Sequence, residues 1–180
     1  MEFILLPILY ALSGFFMKIS DDFFDEKNNK LWASIIGILC GITCGLIASN
    51  NVDGAYIFLG ILIGNILALK VDGIHHITTL IVFILILLLF NIPSMNILIL
   101  IIIVLSAIID ELGNDNEQIY NSSKFLMYFF DYRFTLKVVI LLLCLLGFLN
   151  IWTFPFFLCF DVSYEIGRVL FDRYLTKLDI

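Results

Sequence analysis

Charge is scarce in this sequence. Of its 180 residues only 14% are charged and 62% are apolar. A soluble domain of this length has too little interior to bury so much apolar surface, so the composition excludes a soluble protein. An excess of positive charge is also lacking, since the formal net charge is −6. Nothing here can neutralise a run of phosphates, which excludes nucleic acid as a partner.

Two further signals are absent, a cleaved leader and a cysteine framework. No basic segment precedes the first apolar stretch, residues 3–19, and no small-residue cleavage site follows it, so we expect a retained membrane span. The cysteines all lie inside apolar runs, where a free thiol behaves as a small hydrophobic group. We therefore expect neither disulfides nor a thiolate metal site from Cys40, Cys44, Cys144 and Cys159.

Long apolar runs dominate what is present. As helices rising 1.5 Å per residue, each reaches roughly 23–30 Å, enough to cross the hydrocarbon core. The sequence therefore predicts an all-α membrane helix bundle with about seven transmembrane helices, forming a single integral membrane domain over residues 1–180. The predicted spans are residues 3–19, 31–49, 54–70, 75–90, 95–109, 134–151 and 155–174.

The connections between these runs alternate in charge. Residues 20–30, 71–74 and 110–133 are charged, whereas 50–53, 91–94 and 150–154 are short and carry no charge apart from Asp53. The positive-inside rule places the charged side in the cytoplasm, with the N-terminus outside, as in a multi-pass protein of the cell membrane. That side holds all the basic residues: Lys18, Lys27, Lys30, Lys70, Lys124, Arg133, Lys137, Arg168, Arg173 and Lys177.

The same side is nevertheless net acidic. It carries every acidic residue except Glu2 and Asp53. A topology signal requires only the bases, so the acids ask for a separate explanation.

Small residues recur at every fourth position of the second predicted helix. Such stripes allow two backbones to approach closely in lipid, where packing holds helices together. We expect the second and third helices to pack against each other, or the stripe to join a second copy of the chain in a homo-oligomer. The stripe comprises Ala33, Gly37, Gly41, Gly45 and Ser49, and the third helix adds Gly60 and Gly64.

An aromatic segment follows the fifth predicted span. Residues 124–133 contain five aromatic side chains between Lys124 and Arg133. The pattern is typical of a short helix lying at the membrane surface, and equally of a plain aromatic belt.

An acidic cluster closes the first predicted helix. If the helix continues, Asp21 and Asp25 are an i,i+4 pair, and Asp22 and Asp25 an i,i+3 pair. Carboxylates at that spacing repel each other, and a hard cation such as Mg²⁺ would relieve the repulsion while keeping water or phosphate oxygens as its other ligands. The alternative is a solvated acidic loop that ends the helix.

Two further cytoplasmic helix ends repeat the acidic pattern. Asp72 follows the third span, and Asp110 and Asp115 follow the fifth. Asp72 precedes His75 and His76, which point about 100° apart on a helix, so at most one of them is expected to share a ligand with Asp72. Hydrogen-bonded interfacial histidines are preferred here over a transition-metal site.

The last predicted helix carries one charged stripe, Asp161, Glu165, Arg168 and Asp172, on an otherwise apolar segment. A charge inside the hydrocarbon core costs at least about 2.5–3.5 kcal/mol and needs a partner, and Arg168 is the expected partner of Glu165. We prefer this inserted helix to an amphipathic tail lying on the membrane.

Residues 21–28, DDFFDEKN, resemble the first aspartate-rich motif of the UbiA-superfamily intramembrane prenyltransferases. The resemblance implies that Asp22 and Asp25 hold Mg²⁺-diphosphate, with Asp21 where that family usually has Asn. Residues 110–115 correspond loosely to its second motif, and the family has more helices than the seven predicted here.

The sequence thus supports three functions. The first is a Mg²⁺-dependent transferase of lipid metabolism acting on a membrane lipid or isoprenoid diphosphate. Candidate catalytic residues are Asp22, Asp25, Asp110, Asp115, Asp161 and Glu165; candidate metal ligands are Asp21, Asp22, Asp25, Asp72 and Asp110. Lys70, Arg133, Lys137 and Arg168 would neutralise the diphosphate. The others are a cation or proton-coupled transporter using the Asp161 stripe, and a non-catalytic membrane subunit.

Overall fold

The computed structural model describes residues 2–174, including their side chains except those of residues 2, 3, 120 and 121. This part of the chain is helical and contains no strand, which confirms the all-α prediction. Lys177 lies outside the described residues. The helices are α1 (Glu2–Asp25), α2 (Lys30–Asn50), α3 (Val52–Leu67), α4 (Ile74–Phe90), α5 (Ile97–Asp115), α6 (Glu117–Ser122), α7 (Lys124–Asp131), α8 (Phe134–Leu145) and α9 (Thr153–Tyr174).

Three of these helices, α1, α2 and α5, are long and apolar enough to cross a membrane. Helices α3, α4 and α8 are apolar but shorter, with 16, 17 and 12 residues. Helix α9 has 22 residues and carries the charged stripe along its length. The helix lengths therefore agree with a membrane protein, and the count of seven crossings stays a prediction.

Helix α8 is shorter than predicted, because residues 146–151 are not helical. It ends in a Schellman motif: Gly147 has φ of +77°, the Phe148 amide donates to the Leu143 carbonyl at 2.9 Å, and the Gly147 amide donates to the Cys144 carbonyl at 3.1 Å. Glycine adopts this left-handed conformation without a steric penalty. The span predicted for residues 134–151 missed the stop signal at Gly147, because the sequence stays apolar beyond that glycine.

Helices α1 and α5, in contrast, continue past their apolar runs through Asp25 and Asp115. After α1 the chain forms a turn in which the backbone amide of Glu26 donates to the Asp22 carbonyl at 2.9 Å. The helical spacing expected of Asp21, Asp22 and Asp25 is therefore confirmed.

The described helices form two compact units, and the prediction of one domain stays a prediction. In the first unit, which contains α1, α2, α4 and α9 from Pro155 onward, the glycine stripe of α2 packs against α4. A Cβ at Gly41 would lie 2.7 Å from the Thr79 carbonyl oxygen, and one at Gly45 would lie 2.7 Å from Ile86 Cβ. These glycines let the two backbones approach closely.

In the second unit, which contains α3 and α5–α8, the glycines of α3 pack against α5. A Cβ at Gly60 would lie 2.5 Å from Ile103, and one at Gly64 would lie 2.7 Å from Ala107. The predicted pairing of the α2 and α3 stripes is therefore wrong. Each stripe accepts any helix with a complementary surface, so the pattern indicates a close-packing face without naming its partner.

Helix α1 packs against α2 and α9 in the first unit. The Ser20 hydroxyl donates to the Ala33 carbonyl of α2 at 2.8 Å. On α9, the Phe160 backbone contacts Gly14 so closely that a Cβ would overlap it, and Phe171 meets Phe23 edge to face at 5.2 Å. These contacts fix the charged end of α1 against its neighbours.

The aromatic segment after α5 forms the short helix α7, as one of its two interpretations predicted. None of the side chains of α7 is buried, and Phe125 is 72% exposed. An exposed aromatic face of this kind suits the interface between lipid and water.

Candidate functional site

The first turn of α4 is held in place by α2. The Thr79 hydroxyl of α4 donates to the Gly37 carbonyl of α2 at 2.8 Å, and the Thr78 hydroxyl donates back to the His75 carbonyl at 2.9 Å. Because Gly37 has no side chain, the backbone at His75 lies close against α2. The packing of α2 on α4 therefore positions His75 and His76.

Both histidines meet Asp21 from the end of α1. Nε2 of His75 lies 3.3 Å, and Nδ1 of His76 lies 4.0 Å, from Oδ1 of Asp21. The expectation that at most one histidine shares a ligand with Asp72 stays a prediction, whereas the approach of both histidines to Asp21 was not predicted. The two rings lie one against the other, with centroids 3.9 Å apart, and the shared acid comes from a different helix.

His75 is the buried member of this group. It is only 2% exposed, and neither of its ring nitrogens has a hydrogen-bond partner. The Phe24 ring packs against it with centroids 4.5 Å apart. Asp21 and His76 are partly exposed, so the group is closed on the His75 side and accessible from the other.

Gly73 makes room for the His75 ring. A Cβ at Gly73 would overlap Cε1 and Nδ1 of the imidazole and would lie 3.2 Å from Phe24. Asp72, before the start of α4, is 80% exposed and lies 3.9 Å from Nε2 of His76. Asp72 therefore stands at the rim of the group, outside the helix.

Asp22, the next residue along α1, faces a different neighbour. Its carboxylate is buried, with the residue 3% exposed, and Oδ1 pairs with Nζ of Lys18 at 2.8 Å. Oδ2 has no hydrogen-bond partner. The Lys18 ammonium also lies 5.6 Å from the Tyr164 ring centroid. Lys18 was not predicted as a site residue, although its i,i+4 spacing from Asp22 indicates an ion pair on a helix. Asp25 is exposed.

The charged stripe of α9 contains an ion pair. Arg168 donates to Glu165, which confirms the predicted partnership. Asp161 is half-buried and Asp172 is exposed. Helix α9 starts at Thr153, close to the start predicted for the last span.

Asp110, in the second unit, binds the start of α8. It is 1% exposed, and its two oxygens accept hydrogen bonds from the backbone amides of Thr135 at 3.0 Å and Leu136 at 2.8 Å. The first amides of a helix have no partner within it and carry partial positive charge. Asp110 thus connects α5 to the N-terminus of α8, and no local sequence pattern predicts this role.

The predicted diphosphate-binding cations of this unit already have acceptors. Arg133 pairs with Glu111 at 3.1 Å, Lys70 pairs with Asp115, and Lys137 donates to the Tyr132 carbonyl. A ligand would have to compete with these contacts.

Asp53, which was not predicted as a site residue, forms hydrogen bonds that hold the fold together. Its Oδ2 accepts from the Asn150 amide at 2.7 Å and from the Thr153 hydroxyl at 2.6 Å. This buried carboxylate fastens the segment between α8 and α9 to the N-terminal turn of α3.

Comparison of the chain with protein-family models, with curated proteins and with solved structures finds no match. The resemblance of residues 21–28 to the UbiA-superfamily motif therefore remains a hypothesis.

Proposed function

We propose that the chain crosses the cell membrane seven times, with its N-terminus outside and its C-terminus in the cytoplasm. The distribution of basic residues supports this arrangement. Helix α8 spans only about 18 Å at 1.5 Å per residue, so residues 146–152 complete that crossing. In this segment the Asp53 carboxylate accepts from the Asn150 amide, and the Cys144 thiol donates to the Asn150 carbonyl.

Reporter fusions at Asn51, Ser94 and Ile180 test this topology. We expect an external signal from the first two and a cytoplasmic signal from Ile180. An external signal from Ile180 contradicts the seven-crossing arrangement.

We further propose that the protein is a Mg²⁺-dependent enzyme acting on a lipid or isoprenoid diphosphate. The observation that carries this proposal is the buried carboxylate of Asp22, whose Oδ2 has no hydrogen-bond partner. Leaving a buried acceptor unsatisfied costs about 1–3 kcal/mol, and such atoms in native proteins call for an explanation, an ion among others. A carboxylate oxygen is the ligand that Mg²⁺ prefers.

Asp22 and the exposed Asp25 stand one turn apart on α1, and would hold the ion together. The net acidic cytoplasmic face would repel a diphosphate that arrived without a cation. Mg²⁺ bound here would supply the positive charge that a departing diphosphate needs. Lys18 holds the Asp22 carboxylate in position. Arg168 is the candidate cation of this unit for the diphosphate oxygens, which would compete with Glu165 for its guanidinium.

The test is release of diphosphate from geranylgeranyl diphosphate by the purified protein, with extracted membrane lipids as the source of acceptor. We expect release to require Mg²⁺ and to fall at least about 100-fold in Asp22→Asn, the scale of losing one strong electrostatic contribution. Asp131→Asn, which removes an exposed acid on α7, is the control and should keep the parent rate. Absence of Mg²⁺-dependent release from the parent refutes the enzyme and leaves a transporter or a non-catalytic subunit.

A further inference from the structure

Asp21, His75 and His76 combine the three donor groups from which many transition-metal sites are built. One donor atom from each residue can be chosen so that all lie within 4.8 Å of one another. They come from two helices, α1 and α4, whose relative position is set by packing on α2. We propose that these three side chains bind a divalent transition-metal ion, distinct from the Mg²⁺ assigned to Asp22 and Asp25.

The donor separations are close to what such an ion requires. In a tetrahedral site with metal–nitrogen bonds near 2.0–2.1 Å, neighbouring donors stand about 3.3 Å apart. Nε2 of His75 already lies 3.3 Å from Oδ1 of Asp21. Nδ1 of His76 lies 4.0 Å from the same oxygen, and small rotations of this partly exposed ring would bring it in.

The state of His75 is an independent indication of a ligand. An imidazole always has at least one N–H to donate, and when neutral it also has one lone pair. His75 is almost fully buried, and its Nε2 lies 3.3 Å from Oδ1 of Asp21 without the geometry of a hydrogen bond, so neither ring nitrogen has a hydrogen-bond partner. Buried polar groups are normally satisfied, so a missing ligand accounts for this one better than a purely structural role.

The donor set also selects the class of metal. Imidazole nitrogen suits Zn²⁺, Fe²⁺, Co²⁺ and Ni²⁺, whereas Mg²⁺ is bound through oxygen. Two histidines and one carboxylate leave at least one coordination position open, which is the pattern of catalytic sites and not of closed structural ones. The open position would lie on the side where Asp21 and His76 are exposed, near the Asp72 carboxylate.

The sequence makes the test unusually clean, because the chain contains only two histidines and both belong to this group. Purified protein without a histidine tag is titrated with Co²⁺, whose visible absorption reports tetrahedral or five-coordinate binding, and the bound ion is then displaced with Zn²⁺. We expect one equivalent to bind and to be displaced. No saturable absorption in the parent protein overturns the proposal.

Three variants locate the ion. His75→Gln, His76→Gln and Asp21→Asn should each weaken Co²⁺ binding by more than about 100-fold, because loss of an outer contact alone weakens metal affinity 10- to 100-fold. Glu26→Gln removes the same charge as Asp21→Asn from an exposed position near the end of the same helix, and should bind as the parent does. Binding that survives in all three variants, or that is lost equally in Glu26→Gln, refutes the site.

His76→Gln keeps the test decisive if His75→Gln does not fold, because His76 is partly exposed and its replacement creates no cavity. The proposal does not depend on diphosphate chemistry. A protein that fails to release diphosphate and still binds Co²⁺ through both histidines contradicts the proposed enzyme and supports this site.

Discussion

Gly73→Ala should perturb the His75 group without removing any donor atom. The added Cβ would overlap Cε1 and Nδ1 of the imidazole, whereas ordinary contacts lie at 3.4–4 Å. The ring would have to move by about 1 Å or more to restore normal contact. It cannot move freely, since the Phe24 and His76 rings pack against it with centroids 4.5 and 3.9 Å away.

Overpacking of this kind costs about 1–3 kcal/mol, and a displaced ligand lowers metal affinity about 10- to 100-fold. We therefore expect Gly73→Ala to lower both the thermal midpoint in detergent and the affinity for Co²⁺. Gly167→Ala is the matched control, because a Cβ there meets nothing closer than 3.4 Å, and alanine is the better helix former. It should be neutral or slightly stabilising.

A double-mutant cycle separates the ring overlap from other effects of the added methyl group. In a His75→Ala background the imidazole is absent, so Gly73→Ala should then cost little stability. A full loss of stability in that background, or an unchanged midpoint and Co²⁺ affinity in the single variant, would refute the role assigned to Gly73.

Three further predictions concern other parts of the fold. Asp110→Ala should lower the free energy of unfolding by about 1–3 kcal/mol, and with it the thermal midpoint, because two backbone amides of α8 lose their acceptor. The control Asp115→Asn changes an exposed residue and should alter the free energy of unfolding by less than about 1 kcal/mol. Gly41→Leu should destabilise the detergent-solubilised protein more than Leu39→Ala, which lies at an exposed position; equal midpoints would mean that α2 and α4 separate without cost. Millimolar Mg²⁺ should raise the thermal midpoint of the parent but not of Asp22→Asn, and a rise that vanishes in moderate salt would indicate screened surface charge instead.

Local features of the sequence determined most of the helices. Backbone hydrogen bonds within a helix join residues four apart, so runs of apolar residues and their punctuation locate the elements directly. The helical continuation to Asp25 and the Glu165–Arg168 pair belong to this class, since both depend on residues a turn apart. The end of α8 does too, because Gly147 was a readable stop signal.

Tertiary structure alone decided which faces meet. Lipid is as apolar as the helices it surrounds, so hydropathy does not indicate which helix covers a stripe of small residues. Thus α4 covers the glycines of α2, and α5 covers those of α3. Asp110 bonds to the amides of α8, and Asp21 lies beside both histidines. These partners are more than twenty residues apart along the chain, and the periodic patterns of a sequence relate only residues within one helix or strand.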